Sequence, residues 1–219
     1  MSGETSRFWF VRHAPVESGG RLYGQEDLPA RITDTKPADC LRRGLPSAAA
    51  WIVTPLRRTQ ETADAIRGHR ETSSSPHASS PAVEPGFLEQ HFGVWQGYTI
   101  QTVMDNDPER WAGFWEDPAE SRPPGGESFA DVVGRVRPAL TRIAESSAGR
   151  DIVVIAHGGS IRAALAVAMD LSPAQALSVV VDTWSLTRLD HIAGAGPHGM
   201  AAWRIAGVNI PATGIFHAQ

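Results

Sequence analysis

Three short apolar runs punctuate the chain, and each ends in a knot of polar residues. Phe8-Trp9-Phe10-Val11 stops at Arg12-His13, Trp51-Ile52-Val53 at Thr54-Pro55, and the run 152–156 at His157-Gly158-Gly159. Continuous apolar runs of this length suit strands covered on both faces, the habit of buried parallel sheets. Thr54 reads as an N-cap and Pro55 as the first helical residue, which predicts a helix over 55–67 stopping at Gly68. A longer helix is expected from Ser128, with Asp131 as its capping partner. Phe129, Val132, Val133, Val136, Leu140 and Ile143 would form its apolar face, and Pro138 predicts a kink.

A further helix is expected over 159–169, and late strands over 183–189 and 200–205. Residues 30–46 look irregular, and residues 72–82, rich in Ser, Pro and Ala, read as a solvated loop. Strands alternating with helices argue for an α/β fold with a mostly parallel sheet. In such sheets ligands bind at the carboxyl ends of the strands. That rule points to Arg12, His13, Thr54 and His157.

Composition narrows the class. The chain has 219 residues, 42% of them hydrophobic and 20% charged, with a net charge of -4. This is ordinary globular content, excluding whole-chain disorder and leaving room for one domain or a tight pair. No apolar run approaches the roughly 18 to 20 residues of a membrane helix, so no membrane partner is expected. A slightly acidic chain argues against nucleic acid as a partner. Cys40 is the sole cysteine, which excludes an intrachain disulfide and a cysteine-rich zinc site. The polar start lacks the basic head and apolar stretch of a signal peptide, so a cytoplasmic protein is expected.

The strand ends carry the chemistry. His13 and His157 stand at two of them, Arg12 beside one, and Arg58 one turn into the following helix. Gly158 and Gly159 open a helix whose unpaired N–H groups face the same rim. Two arginines, two imidazoles and a helix N-terminus suit a tetrahedral dianion, and phosphate is the obvious one. A neutral imidazole can attack phosphorus to give a phosphohistidine that water then cleaves. The arginines supply the positive charge such a transfer needs, so no metal or other cofactor is expected. Glu89, among Leu88, Phe92 and Trp95, offers an acid for the leaving alkoxide, its pKa raised by burial.

Arg12-His13-Ala14-Pro15 resembles the Arg-His-Gly signature of the histidine phosphatase superfamily, the phosphoglycerate mutase-like family. Gly24-Gln25-Glu26-Asp27-Leu28-Pro29 is similar to its Gly-x-x-Asp-x-Pro segment, and the stretch from Thr54-Pro55-Leu56 through Arg58 to Thr62-Ala63 to its Ser-Pro-Leu-x-Arg helix start. Glu89 with Phe92-Gly93 and Trp95 matches the segment of its general acid. Pro124-Gly125-Gly126-Glu127-Ser128 and Ala156-His157-Gly158-Gly159-Ser160-Ile161-Arg162 complete the family order across residues 12–162.

The resemblance implies a three-layer α/β/α sandwich and roles position by position. His13 would be the nucleophile, Arg12 and Arg58 would hold the phosphoryl oxygens with Gly158, His157 would stabilise the transition state, and Glu89 would donate the proton. The expected organisation is one domain over 1–219 with a lid at about 98–127. The expected partner is a small phosphorylated metabolite; monomer and homodimer stay open.

Gly19 and Gly159 stand where the mutase spelling has asparagines, which favours a phosphatase, with a mutase and a non-catalytic phospho-ligand or protein-binding module as alternatives. Gln96-Gly97 is spelled as in mutases. The Pro-Gly-Gly-Glu-Ser pattern also resembles that of α-ribazole phosphatase. Arg21, Tyr23 and Gln25 are candidate substrate contacts, with Arg110 and Arg122 for a second anionic group and Glu127 or Ser128 facing the substrate. His91 reads as a neighbour of the site or exposed. His69, His77, His191, His198 and His217 lack metal spacing and read as solvated; Trp95, Trp111 and Trp115 read as buried packing.

Overall fold

The structure, a computed structural model, describes residues 4–68, 80–197 and 201–217. Strands β1 (Thr5–Arg12), β2 (Ala50–Val53), β3 (Ala82–Val83), β4 (Asp151–Ala156), β5 (Leu186–Ile192) and β6 (Ala202–Ile210) form one sheet in the order β3-β2-β4-β1-β5-β6. The pairs β1–β4, β4–β2 and β2–β3 are parallel, and β5 alone is reversed, antiparallel to both β1 and β6. The mixed α/β architecture with a mostly parallel sheet is therefore as expected.

Side chains alternate across the sheet with the period of two that strands impose. In β4, Ile152, Val154 and Ala156 join one core while Val153 and Ile155 join the other. Phe8 and Phe10 of β1 lie in the first core, and Val11 in the second. Both faces being covered is why these runs lack polar interruptions. Helices α5 (Phe129–Ser146), α6 (Gly158–Met169) and α7 (Pro173–Leu177) cover the first face; α1 (Lys36–Gly44) and α2 (Arg57–Arg67) cover the second.

Helix α5 begins as its sequence dictates. Ser128 Oγ accepts from the Asp131 N–H while the Asp131 carboxylate accepts from the Ser128 N–H, a reciprocal cap. The helix continues through Pro138, which lies with Gly134, the residue whose carbonyl it leaves unbonded, on the exposed face. Outside the two cores, Trp95, Val103 and Phe114 make a small third cluster beneath α3 (Ile100–Asn106) and α4 (Pro108–Glu116), with Trp111 packed against it.

Several expectations are corrected. Residues 30–46 include helix α1, whose narrow buried stripe is Ala38 and Leu41. Helix α2 starts at Arg57 after Leu56, two residues late, and its N-cap residue Leu56 has no side chain that can accept a hydrogen bond. The late strands begin at Leu186 and Ala202; Thr183 and Trp184 form a turn, the latter with φ of 63°. His191 is buried against Trp203, at 4.8 Å between rings, and is not solvated. Trp115 is 56% exposed, unlike Trp95. The loop 72–82 lies largely outside the described residues, as do His69, His77 and His198. Among the described residues, no helix is long and apolar enough to cross a membrane.

Candidate active site

Strand β1 delivers Arg12 and then His13 to the carboxyl edge of the sheet, and β4 beside it delivers His157. The two imidazole rings stand 5.1 Å apart, both almost wholly buried. His13 Nδ1 lies 2.6 Å from the Ala14 carbonyl oxygen, which can only accept. Nδ1 therefore carries the proton of the neutral ring, and the lone pair is left on Nε2. The Ala14 N–H donates to Thr62 Oγ1 at 2.9 Å, tying this turn to α2. Burial first, then the Arg58 charge, push the His13 pKa down to about 3 against the opposing Ala14 bond.

Arg58 is fully buried one residue into α2. Its Nη1 donates to Glu26 O at 2.7 Å and its Nη2 to Gly24 O at 2.5 Å. Its Nε donates to His157 Nδ1 at 3.3 Å. That bond makes His157 Nδ1 an acceptor, so the ring proton sits on Nε2, which donates to Thr54 Oγ1 at 2.9 Å. The Thr54 hydroxyl also lies 3.0 Å from Thr59 Oγ1 and accepts the Leu56 N–H at 3.4 Å, but not the first N–H of α2. Instead, Asp27 Oδ1 accepts the Arg57 N–H at 2.7 Å from the loop before α1. Burial, followed by His13 and the arginines, holds His157 well below the usual imidazole range.

Arg12 gives Nη1 to Val181 O at 2.6 Å, while its Nε is buried and has no partner among the described residues. A buried donor left unpaired is costly unless something arrives to accept from it. Gly158, the first residue of α6, lies against this guanidinium, and a Cβ there would come within 3.5 Å of Arg12 Nε. Five positions of the expected constellation thus meet at one edge: Arg12, His13, Arg58, His157 and Gly158.

Glu89 reaches the same rim from a loop. Its Oε1 accepts from Gly159 N at 3.0 Å and from Gln90 N at 3.0 Å. The Gly159 N–H is therefore taken by Glu89 and is not free for phosphate. A Cβ at Gly159 would overlap Glu89 Oε1, so glycine is what lets the carboxylate close on the helix. The backbone of Glu89 is clamped too. Its carbonyl accepts from Gln25 Nε2 at 2.8 Å and from Arg135 Nη2 at 2.9 Å.

Arg135, on α5, was not singled out in the sequence. It also takes the carbonyls of Gly86 and Leu88 and pairs with Glu127 at 2.8 Å. Glu127 in turn accepts from the His91 N–H. Glu127 and Ser128 are thus occupied within the protein, as frame and helix cap. His91 Nδ1 accepts from the Gly93 N–H at 2.9 Å and holds the same loop.

The candidate leaving-group residues separate. The Tyr23 ring lies 5.1 Å from the Arg58 guanidinium carbon. Gln25 holds the Glu89 loop, and Arg21 is exposed, its backbone bridged to Thr99. Arg110 lies 3.5 Å from Asp107 and Arg122 bonds both oxygens of Asp131, so each already faces an acid. Arg162 is a second residue the sequence reading passed over: its Nε donates to Val179 O at 2.6 Å. Both omissions have a helical signal, since Arg135 and Arg162 each follow a Gly-Gly motif on the helix it leads into.

Comparison with known proteins identifies relatives and the family. A bifunctional protein of Mycobacterium tuberculosis is 29% identical over 192 residues, 84% of this chain, and the chain spans only half of that protein's length. A 2,3-bisphosphoglycerate-dependent phosphoglycerate mutase of Gloeobacter violaceus is 32% identical over 170 residues, covering 74% of each chain. The solved mycobacterial glucosyl-3-phosphoglycerate phosphatase superposes with a TM-score of 0.76 at 26% identity, over 94% of this chain and 99% of that one. The profile of the histidine phosphatase superfamily, branch 1, matches residues 8–200, and the chain belongs to that family.

Proposed function

We propose that this chain hydrolyses the phosphomonoester of a small metabolite through a phosphohistidine on His13. The observation that carries the reading is the tautomer: with Nδ1 held by Ala14 O, the lone pair is left on Nε2 of a ring that stands 5.1 Å from His157 and feels the Arg58 and Arg12 charges. Nε2 attacks phosphorus and the bond to the leaving oxygen breaks. Glu89 serves as the general acid and delivers a proton to that oxygen. Water then attacks the phosphohistidine, Glu89 takes the proton back, and His13 returns to its neutral form with release of phosphate.

The unpaired Arg12 Nε and the Arg58 guanidinium supply positive charge where the transferring group gathers negative charge. His157 joins them once a bound dianion offsets the field that keeps its ring neutral, Nδ1 then exchanging Arg58 for a proton. No step in this sequence draws on a metal. Among the described residues no three His, Cys, Asp or Glu side chains are grouped to hold one. Residues 98–127 act as the lid of a single domain, and a lone cysteine suits the reducing cytoplasm.

Hydrolysis is favoured over mutase transfer by Gly159, which stands where the mutase spelling has asparagine and whose missing Cβ lets the Glu89 carboxylate settle on the helix. Gln96 does not count against this, since its Oε1 accepts from Gln25 N and Phe92 N and serves the loop. The test is release of phosphate from p-nitrophenyl phosphate in excess chelator, with acid-quench trapping of a labelled protein. Turnover and trapping are expected in the wild type and neither in His13→Ala. Loss of turnover with chelator would refute the mechanism. Exchange between isomers faster than phosphate release would make it a mutase, and tight binding of esters without trapping a binding module.

A further inference from the structure

Arg12 and Arg162 reach the pocket side by side because one loop holds both. Val181 O takes Arg12 Nη1 and Val179 O takes Arg162 Nε, each at 2.6 Å, so carbonyls two residues apart fix two guanidinium groups. Both groups rest against Gly158. A Cβ there would lie 3.5 Å from Arg12 Nε and 3.6 Å from Arg162 Nη1. On the next residue, Gly159 backs onto the Glu89 carboxylate.

Like Arg12 and Arg58, Arg162 is bonded to no carboxylate among the described residues. Arg57, Arg110, Arg122 and Arg135 each meet a carboxylate, whereas among the described residues Arg162 has only the Val179 carbonyl, leaving Nη1 and Nη2 unbonded. Burial lowers its pKa, Glu89 opposes that and Arg12 adds to it. Two partly buried like charges with unused N–H groups are a costly arrangement without an anion between them. Arg12 has one in the proposed mechanism, the transferring phosphoryl group. Arg162 lies one helical turn beyond Gly158, near Glu89, which is where the leaving oxygen departs.

We propose that Arg162 determines specificity by gripping a second anionic group on the leaving alcohol, close to the ester oxygen. This rests on the phosphatase reading above and extends it: the preferred substrates are phosphomonoesters whose alcohol also bears an acidic group. A carboxylate and a second phosphate would both satisfy the guanidinium, and a carboxylate can do so through two parallel bonds.

The experiment compares 2-phosphoglycolate and ethane-1,2-diol bisphosphate with ethyl phosphate, which lacks the second acid. Each is measured for wild type, Arg162→Met and Arg162→Lys. Wild type is expected to favour the acid-bearing esters in kcat/KM. In Arg162→Met that preference should shrink roughly ten- to a hundredfold, mainly through KM, as loss of a charge-assisted bond implies. Arg162→Lys should restore part of it. Whichever of the two acid-bearing esters shows the larger change identifies the group held.

An unchanged preference overturns the proposal, whether all rates fall together, as for a phosphoryl contact or a folding defect, or none fall. Should wild type hydrolyse none of the esters, the phosphatase reading fails. Calorimetric binding of 2-phosphoglycolate against ethyl phosphate, in wild type and Arg162→Met, then decides the role of Arg162 by the same ratio.

Discussion

Gly159 and Glu89 are in close contact: the glycine N–H donates to Glu89 Oε1 at 3.0 Å, and a β-carbon would overlap that oxygen unless the carboxylate moved. The neighbour in the way is a carboxylate held by two backbone N–H groups, not a free side-chain tip. Gly159→Ala should therefore push Glu89 out of place. An alkyl phosphate needs its leaving oxygen protonated more than p-nitrophenyl phosphate does. We expect kcat to fall about a hundredfold on the alkyl ester, the lower end of what a general acid contributes, and far less on the aryl ester. Equal losses on both would remove Glu89 from the acid role.

The two buried imidazoles give a second expectation. The folded pKa of His13 is about 3 and that of His157 is also below the ordinary value of 6.5. Neither ring should change its NMR shift between about pH 8 and 5 in the free protein. With saturating orthophosphate the His157 ring should take up a proton in that range. An ordinary titration without ligand would contradict the burial argument.

Stability should follow from the same pair. Between the unfolded pKa near 6.5 and the lowered folded values, the unfolded chain binds more protons than the native one. Native stability therefore falls as pH drops through that window and gains nothing from these groups above it. The urea midpoint should be lower at pH 5 than at pH 7.5, and His13→Gln should flatten that slope. A midpoint independent of pH would exclude the linkage.

Thr54 is tested by removing one oxygen. Its hydroxyl accepts from His157 Nε2 inside the core, so Thr54→Val keeps the shape and leaves a buried N–H unpaired. A loss of about 1 to 3 kcal/mol in unfolding free energy is expected, with kcat reduced as His157 loses its orientation. Thr54→Ser should recover both. Wild-type behaviour of the valine variant would show that the hydroxyl does not orient the ring.

Arg135 is expected to act on catalysis through Glu89. Arg135→Met removes the clamp on the carbonyls of Gly86, Leu88 and Glu89. A kcat loss of about tenfold is expected, larger on alkyl than on aryl phosphates, because the displaced group is the acid. A drop in thermal stability with no difference between the two ester classes would mark Arg135 as structural only.

The amino-acid pattern by itself determined the sheet core, the reciprocal cap of α5 and the meeting of Arg12, His13, Arg58 and His157. These features are local or rest on burial on both faces: apolar runs make covered strands, and strand ends in a parallel sheet share one rim. Helix α1 was not legible, because Ala38 and Leu41 are too thin an apolar stripe to stand out. Neither was the start of α2, since the Asp27 carboxylate that accepts its first N–H lies 30 positions away in the chain. Only the tertiary structure decided which arginines are spent and which are free. Arg122 and Arg162 look alike in a sequence, yet one is closed by Asp131 and the other meets a single carbonyl. Charge pairing between distant segments is set by packing, and packing has no period to read along the chain.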